Sequence, residues 1–503
     1  MDGATIAGGL VLTGSGWALC RCVARARPRL DRALLVDLAG PFGLFALLFA
    51  VTARPLFAGA ASLAVFGGYA FADWVKRATL LEPVVFSDMS EFIEIFRHPQ
   101  LYLPFAGTGL VIGGFVAIVA ALGAELLFEP GEWRWSPWPG AILLALLLVV
   151  TIATFRQPCL GAVARFARSM GPKGEPFADA KRLGPLAVLP IYGAIARDER
   201  GQRRPAPPAP QIGRPRSTAP PIVLLQCESF FDARRLHPDM PVGLLPAFDR
   251  CVRTGIQSGR FGVSGWGAYT VRAEFSALTG LDIGALGFDR WNPYHAFAKV
   301  PLPSLAWQLR DEGYRTLCLH PFDKRFYGRR KVMKALGFDE FWGEEHFADG
   351  ERAGAFIADA ELARRAEAIL RDGGRGLFLF AITMENHGPW TSPDRDRSLA
   401  DPAPMLPDVP GSGELRRFLH GLKHTDAMLG AICETLAGLD GGLVAAYGDH
   451  LPSLPAALGA LGFADSATDY AIWDARAGRR GSRRDIGAHE LPAALLAAQA
   501  GLG

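Results

Sequence analysis

Long apolar stretches are concentrated in the first third of the chain. Five of them carry few or no charges, and they cover residues 4–20, 33–53, 58–72, 105–124 and 140–155. The second, fourth and fifth come close to the roughly 20 residues that a membrane-spanning helix needs, whereas the first and third are shorter and rich in glycine. The pattern predicts an all-α, polytopic transmembrane domain of about five spans within residues 1–156. Trp133, Trp135 and Trp138 precede the fifth stretch, where indole rings favour the headgroup region and mark a membrane boundary.

Basic residues follow the first and the fifth apolar stretch, within residues 21–32 and 156–182. The positive-inside rule places both clusters, and with five spans the C-terminal half as well, in the cytoplasm. The chemistry argued below favours the opposite face. Long domains can cross a membrane regardless of local charge, and basic segments can lie on anionic headgroups, so both orientations stay open at this point.

A different pattern begins after a proline-rich run, QRRPAPPAPQIGRPRSTAPP, at residues 202–221. Such a run cannot pack a core and acts as a spacer, so we expect residues 157–221 to be a juxtamembrane segment and linker. Beyond it, helical patterns alternate with short, continuous apolar runs. These runs are IVLLQ at 222–226, TLCLH at 316–320, LFLFAIT at 377–383 and LVAAY at 443–447. They predict an α/β domain over residues 222–503, with a mainly parallel sheet buried on both faces.

Composition narrows the classes of function. Of the 503 residues, 53 are Lys or Arg and 50 are Asp or Glu, which leaves a formal charge of +3 and gives no electrostatic case for nucleic-acid binding. The seven cysteines include no C-x-x-C pair, which argues against a disulfide scaffold or a thiolate zinc module. An odd count leaves at least one thiol free. The binding partners of the protein therefore have to be inferred from candidate binding and catalytic residues rather than from composition.

Polar side chains stand directly after each predicted strand. Glu228 follows the first, His320 the second, Met384-Glu385-Asn386-His387 the third, and Asp449 and His450 the fourth. Open α/β sheets bind ligands beyond the carboxyl ends of their strands, so these groups are expected to face one crevice. Singly, each has an ordinary alternative, such as a turn in which the Asp bonds its own backbone.

A nucleophile candidate lies in GVSGWGAYTVRAEFSALTGLD, residues 262–282. Thr270 stands where a helix is predicted to begin, so it is either an ordinary N-cap or a hydroxyl placed beside free backbone N–H groups. Glu274 follows four residues later rather than three, so no standard capping box forms. A hydroxyl needs a base or a metal to attack at neutral pH.

Glu228, Asp449 and His450 supply two carboxylates and an imidazole, and the Thr270 oxygen completes a four-ligand site. This oxygen-rich set predicts a divalent metal, Mn²⁺ first, with Mg²⁺ and Zn²⁺ as alternatives. Cys227 is a further candidate, but its position between Gln226 and Glu228 on a strand predicts that it points to the opposite, buried face.

At these residues the chain resembles the lipoteichoic acid synthase family, membrane phosphoglycerol transferases of the alkaline phosphatase and sulfatase superfamily. The likeness is carried by LLQCESF, GAYTVRAEF, FYGRRKVMKALGFDEFW, TMENHGPW and AYGDH, in the family's order across residues 220–455. The membrane stretch GGYAFADWVKRATLLEPVVFSDM is also similar to the family's. The resemblance implies a sulfatase-like catalytic domain at residues 222–503.

The resemblance also implies roles for single residues. The family's metal-binding positions match Glu228, Thr270, Asp449 and His450, and Thr270 is also the nucleophile position. Arg329 and His387 match positions that hold the phosphoglycerol head group. From the residues alone, Arg329 could equally be a solvated charge in a basic run, and His387 an ordinary loop histidine.

The implied reaction is a double displacement. Thr270 attacks the phosphodiester of a phospholipid such as phosphatidylglycerol, diacylglycerol leaves, and the phosphoglyceryl group waits on Thr270 for an acceptor hydroxyl on an envelope glycan or glycolipid. The implied location is the bacterial inner membrane, with the catalytic domain on the periplasmic or extracellular face. Acceptor identity stays open.

Three alternative functions differ in the residues that they require. Sulfate hydrolysis needs a Cys or Ser in a C-x-P-x-R-type sequence, and Thr270-Val271-Arg272-Ala273 has neither that residue nor the proline. A phosphoethanolamine transferase shares a threonine nucleophile and a metal. A non-catalytic, lipid-binding envelope protein would not need all four metal positions.

Overall fold

The computed structural model describes residues 3–131, 156, 159–203, 218–294, 302–347, 349–390, 402–439, 441–476 and 481–501, with scattered positions between 142 and 152. These residues form two compact units, Met1–Arg203 and Arg204–Gly503. The boundary between the units falls within the predicted proline-rich run, most of which lies outside the described residues.

The first unit is helical. Its described helices are α1 (Gly3–Ala24), α2 (Arg32–Thr52), α3 (Pro55–Thr79), α4 (Phe92–Arg97), α5 (Leu103–Ala106), α6 (Thr108–Phe128), α7 (Cys159–Ser169), α8 (Pro176–Leu183) and α9 (Pro185–Gln202). Among the described residues, four helices, α1, α2, α3 and α6, are long and apolar enough to cross a membrane. They match the first four predicted spans. Most of the predicted fifth stretch and the three tryptophans before it lie outside the described residues.

Two of these helices are longer than their apolar stretches. α1 has 22 residues and α3 has 25, because each continues into polar sequence at its C-terminal end. In α3 the added charges are paired: Arg77 contacts Asp73 at 2.7 Å, and Lys76 contacts Asp88 at 2.5 Å. Hydropathy alone therefore underestimated the length of the helices that end in ion pairs.

Asp37 joins three helices at one end of this unit. Its buried carboxylate accepts hydrogen bonds from Trp17 Nε1 and Arg21 Nη1 of α1, both at 2.7 Å. It also accepts the backbone N–H groups of Leu186 (3.0 Å) and Ala187 (3.1 Å) in the first turn of α9. The end of α1, where the first basic cluster begins, therefore lies beside the start of α9.

The second unit is built around a mixed, mostly parallel sheet. The strands are β1 (Ile222–Cys227), β2 (Gln257–Gly262), β3 (Arg315–Leu319), β4 (Glu340–Trp342), β5 (Arg352–Ala353), β6 (Phe356–Ile357), β7 (Leu377–Ile382), β8 (Leu443–Gly448), β9 (Thr468–Asp474), β10 (Ser482–Arg483) and β11 (Ile486–Gly487). The main sheet has the order β10-β2-β9-β8-β1-β7-β3-β4, with β11 also paired to β2. β5 and β6 form a separate pair.

The four predicted apolar runs are β1, β3, β7 and β8, which lie side by side and parallel. β9 is the exception, since it runs antiparallel to β8 and to β2. Alternate residues of β1 pack into separate cores on the two faces: Val223, Leu225 and Cys227 on one, Ile222 and Leu224 on the other. The predicted α/β fold is confirmed, and Cys227 points into the core as expected.

Helices cover both faces of this sheet. They are α10 (Pro246–Thr254), α11 (Thr270–Thr279), α12 (Leu305–Asp311), α13 (Arg329–Ala335), α14 (Asp359–Gly373), α15 (Ser412–Gly438), α16 (Pro455–Ala460) and α17 (Leu491–Ala500). The predicted helix after Thr270 is α11, and it ends at Gly280 in the left-handed conformation with φ of 72°.

Gly448 ends β8 immediately before Asp449 and is tightly enclosed. A Cβ at this position would lie 1.7 Å from the carbonyl oxygen of Phe230. We expect Gly448→Ala to lower the free energy of unfolding by about 2 kcal/mol or more, because the backbone must shift to relieve the overlap.

The matched control is Gly459→Ala in α16, where a Cβ would meet nothing within 4 Å. It should be neutral or slightly stabilising, because alanine is the better helix former. Thermal unfolding of both variants measures the difference, and equal stability would contradict the close approach at Gly448.

Candidate active site

The carboxyl ends of β8 and β1 bring two acids and an imidazole together. Cys227 pairs with Gly448 in the parallel register, so Glu228 and Asp449, which follow them, leave the sheet side by side. Glu228, Asp449 and His450 are 3%, 2% and 3% exposed, and their ligand atoms lie within 4.8 Å of one another. The predicted convergence of these three residues is therefore present in the structure.

Thr270 completes the cluster from the other side. His450 Nε2 lies 3.3 Å from Glu228 Oε1, 3.4 Å from Asp449 Oδ2 and 3.4 Å from Thr270 Oγ1. One ring nitrogen carries at most one proton, so it cannot donate to three oxygens at once. All three separations also exceed the 2.7–2.9 Å of a strong charge-assisted hydrogen bond. The four atoms surround a shared space.

That space has the size of a metal site. For a tetrahedral ion with ligands at about 2.1 Å, neighbouring ligand atoms stand about 3.4 Å apart, which is the spacing around His450 Nε2. Asp449 Oδ2 is buried and makes no hydrogen bond of good geometry within the described part of the chain, although the Thr270 hydroxyl and His450 Nε2 lie beside it. A buried carboxylate oxygen held this loosely is costly unless a proton or a cation binds it. The residues present fit a divalent cation.

The orientation of His450 also fits this role. Its Nδ1 lies 2.9 Å from the carbonyl oxygen of Leu451. A carbonyl can only accept, so Nδ1 carries a proton, and in the neutral ring the Nε2 lone pair faces the acids. Asp449 is held in place through its other oxygen, Oδ1, which accepts the backbone N–H groups of Ser229 and His450, both at 2.9 Å. Backbone hydrogen bonds thus orient the side chains of His450 and Asp449.

The carboxylates of Glu228 and Asp449 repel each other. Burial, and then the adjacent charge of Glu228, raise the pKa of Asp449 to about 7. Burial disfavours the His450 cation, but the carboxylates of Asp449 and Glu228 outweigh it and raise the pKa of His450. Both shifts reflect excess negative charge in a dry site, which a bound cation would relieve.

Thr270 is the first residue of α11 and the most exposed member of the cluster. The N-cap is Tyr269, with φ of 73° and no side-chain capping bond, so the ordinary N-cap interpretation of Thr270 is wrong. Gly267, with φ of 67°, lets the loop before the helix approach closely, because a Cβ there would lie 2.9 Å from Ser453 Cβ. This close approach places the Thr270 hydroxyl beside His450.

Arg329 is 2% exposed, so the interpretation of this residue as a solvated charge is also wrong. Its Nε and Nη2 donate to the two oxygens of Glu274 at 3.2 and 2.7 Å, and its Nη1 lies 3.1 Å from His320 Nε2. Burial, and then the Arg329 charge, hold the pKa of His320 well below its usual range, so His320 is a neutral acceptor. The guanidinium of Arg329, which the resemblance assigns to the head group, is engaged by Glu274 in this structure.

Glu274 is the centre of a polar network that sequence reasoning missed. It lies one turn after Thr270 on α11 and is fully buried. Gln226 Nε2 donates to it at 2.9 Å and Tyr294 Oη at 2.5 Å, while Tyr447 Oη donates to Gln226 Oε1 at 2.5 Å. The sequence signal was the spacing of four from Thr270, which places Glu274 on the same helical face but does not reveal its partners.

Glu385 and His387, which follow β7, make contacts in different parts of the domain. Glu385 turns away from the acid cluster: its Oε2 accepts the backbone N–H of Asp359 at 2.6 Å, and its Oε1 lies 2.5 Å from His424 Nδ1. His387 is half-buried, with Nδ1 2.7 Å from the Gly388 carbonyl oxygen and its ring 5.5 Å from the Phe356 ring. The expectation that all strand-end groups share one crevice thus fails for Glu385.

A family model for sulfatases matches residues 220–497, more than half of the chain. The chain belongs to the sulfatase family. The sulfatase match begins just before β1 and ends within α17, so it contains all four residues of the cluster. It confirms the predicted membership of the alkaline phosphatase and sulfatase superfamily.

Relatives of this sulfatase-family chain extend the comparison. The capsular polysaccharide biosynthesis protein RkpI of Rhizobium meliloti (strain 1021) is 29% identical over 471 residues, which are 89% of this chain and 82% of RkpI. A putative cyclic beta-1,2-glucan modification protein of the same strain is 30% identical over 294 residues, 58% of this chain and 43% of that protein. The chain therefore spans less than half of the second relative.

One solved structure is similar over nearly the whole sulfatase-family chain. The integral membrane protein lipooligosaccharide phosphoethanolamine transferase A (EptA) from Neisseria meningitidis superimposes with a TM-score of 0.55 at 14% identity. The match covers 98% of this chain and 95% of EptA. At this identity the likeness shows a shared fold, with apolar N-terminal helices followed by a sulfatase-type domain.

The Glu274–Arg329 pair provides a stability test. Glu274→Ala should lower the free energy of unfolding by about 3–5 kcal/mol, because it leaves the buried Arg329 charge unpaired. Glu344→Ala is the matched control: its pair with Arg352 is 42% and 49% exposed and should contribute about 1 kcal/mol or less. If chemical denaturation gave the two variants the same stability, the central place of Glu274 would be refuted.

Cation affinity should depend on pH. A cation needs the deprotonated Asp449 carboxylate, whose pKa is about 7, and the neutral His450 ring, whose pKa is raised, so the affinity increases with pH and falls as protons compete at lower pH. For one competing proton, Mn²⁺ affinity should fall about tenfold per pH unit below the pKa. Titration calorimetry at pH 8 and pH 6 measures this, and an unchanged affinity would contradict the assignment.

Proposed function

We propose that this protein is a membrane-bound phosphoglycerol transferase that moves glycerol phosphate from phosphatidylglycerol to an envelope glycan or glycolipid, by way of a phospho-threonine at Thr270. The observation that carries the proposal is the half-buried Thr270 hydroxyl, 3.4 Å from His450 Nε2 at the open side of a buried acid cluster. A hydroxyl so placed is accessible to a lipid phosphodiester and adjacent to a cation-binding set.

The proposed ligands are Glu228, Thr270, Asp449 and His450. A bound divalent ion, for which we propose Mn²⁺ with Mg²⁺ and Zn²⁺ as alternatives, supplies positive charge that favours the alkoxide and offsets phosphoryl charge. The two acids and the ring nitrogen hold this charge in place. The backbone amides of Ser229 and His450 fix Asp449, so the set is organised before substrate arrives.

In the first proposed step the Thr270 oxygen attacks phosphorus. A Thr270 O–P bond forms, and the bond from phosphorus to the diacylglycerol oxygen breaks. The proton of the Thr270 hydroxyl ends on that oxygen, and diacylglycerol leaves as an alcohol. In the second step an acceptor hydroxyl attacks the same phosphorus and the Thr270 O–P bond breaks. The proton of the acceptor hydroxyl ends on the Thr270 oxygen, which restores the Thr270 hydroxyl. Thr270 begins α11, so backbone N–H groups of its first turn face the phosphoryl oxygens.

Arg329 and His387 are the proposed head-group residues. Glu274 and His320 engage three of the five N–H groups of Arg329, which leaves two for a phosphoryl or glycerol oxygen. The Glu274 contact also aligns the guanidinium with the helix that carries Thr270. His387 is half-buried and can present its ring to a ligand.

The proposed place of action is the outer face of the bacterial inner membrane. Four helices long enough to span support membrane insertion, which would bring the catalytic domain close to a lipid donor. The names of the two Rhizobium relatives, a capsular polysaccharide biosynthesis protein and a putative glucan modification protein, support a glycan acceptor. We propose the domain limits 1–156, 157–221 and 222–503 given by the sequence pattern.

Donor turnover tests this proposal. Full-length protein in detergent is incubated with Mn²⁺ and either labelled phosphatidylglycerol or labelled phosphatidylethanolamine, and diacylglycerol release is followed. Thr270→Ala should lower release from phosphatidylglycerol by about three orders of magnitude or more, because it removes the nucleophile. Thr270→Ser, which keeps a hydroxyl, is the matched control and should retain measurable turnover at unchanged thermal stability.

Faster release from phosphatidylethanolamine would replace the proposed donor and favour a phosphoethanolamine transferase. Undiminished turnover by Thr270→Ala would refute the threonine intermediate altogether.

A further inference from the structure

Two cysteines of the sulfatase domain lie in contact across a helix interface. Cys251 of α10 and Cys433 of α15 are 1% and 0% exposed, and their Sγ atoms are 3.7 Å apart. They are 182 positions apart in the sequence. All seven cysteines are free thiols in the structure, and this pair is the one sulfur–sulfur contact within its described part.

The two helices are docked firmly around these thiols. Asp426 of α15 caps the start of α10, because its Oδ2 and Oδ1 accept the N–H groups of Ala247 (2.9 Å) and Phe248 (2.8 Å). Arg250 Nη2 donates to the Gly430 carbonyl oxygen at 3.3 Å. Gly430 allows the close approach, since a Cβ there would stand 3.3 Å from Ala247 Cβ. Contacts before and beside the cysteines thus hold the sulfurs together.

We propose that Cys251 and Cys433 form a structural disulfide between α10 and α15 in the native protein. A disulfide persists where the surroundings are oxidising, so the inference rests on the proposed location of the domain outside the cytoplasm. The bond would close a long loop and restrict the unfolded chain, which stabilises the folded domain. No part of the proposed transfer chemistry depends on it.

The exchange partner is a disulfide-containing oxidant, either a small molecule or a protein thiol oxidase. The thiolate of one of the two cysteines attacks one sulfur of that disulfide, forming a mixed disulfide and releasing one thiol. The other cysteine then attacks the sulfur of the first, the internal bond forms, and a second thiol leaves. The two protons of the original thiols end on the two released thiols, and the oxidant gains the two electrons.

Both sulfurs are buried in the folded domain. The exchange is therefore proposed to take place before α10 has finished docking on α15.

The test traps thiols in cells that produce the full-length protein. Acid quenching, denaturation and alkylation without reductant should leave Cys251 and Cys433 unlabelled, and peptide mass spectrometry should find them linked, lighter by two hydrogen atoms. Cys318, buried on the other face of the sheet, is the internal control and should be alkylated. The Cys251→Ser/Cys433→Ser double variant should melt several degrees below the wild type.

Alkylation of both cysteines in the wild type would overturn the proposal. A C-terminal topology reporter on the same chain distinguishes the reasons. Free cysteines with the reporter outside the cytoplasm mean that the pair does not cross-link, and free cysteines with the reporter inside mean that the proposed location fails as well. Diacylglycerol release, measured separately, shows whether the proposed transfer stands in either case.

Discussion

The central feature of the candidate site is a pair of carboxylates held close together in an almost fully buried environment. Parallel pairing of β1 with β8 places Glu228 beside Asp449, and both are almost fully buried. Their repulsion raises the pKa of Asp449, and His450 alone, 3.3–3.4 Å from both, is too distant for strong hydrogen bonds. A cation bound between these groups would relieve the repulsion, and the residues present therefore fit a divalent metal.

A second group of buried charges connects the helix of Thr270, the proposed nucleophile, to Arg329, a proposed head-group residue. Glu274 lies on the same helix as Thr270 and binds Arg329, while Gln226 connects Glu274 to β1. One carboxylate on the helix that carries Thr270 therefore fixes the guanidinium of Arg329. This contact gives the charge of Arg329 a fixed place relative to α11 and explains why an acid four residues after Thr270 belongs to the same buried network.

Sequence patterns predicted the sheet and part of the site because both follow local rules. Buried parallel strands are continuous apolar runs whose ends meet at one edge, so the residues after them, Glu228, Asp449 and His450, could be identified from the sequence alone. The partners of Arg329 could not be predicted, since Glu274 is 55 positions away and only folding brings them together. Glu385 was misplaced for a similar reason: its contacts with Asp359 and His424 come from distant helices.

The most direct test of the account is to isolate the group on the threonine. Full-length protein is incubated with Mn²⁺ and phosphatidylglycerol in the absence of an acceptor, quenched in acid, and digested for peptide mass spectrometry. The account predicts a glycerophosphoryl adduct on Thr270, formed with release of diacylglycerol and absent after chelation. Diacylglycerol release accompanied by an adduct on another residue, or undiminished after the metal has been removed, would contradict it.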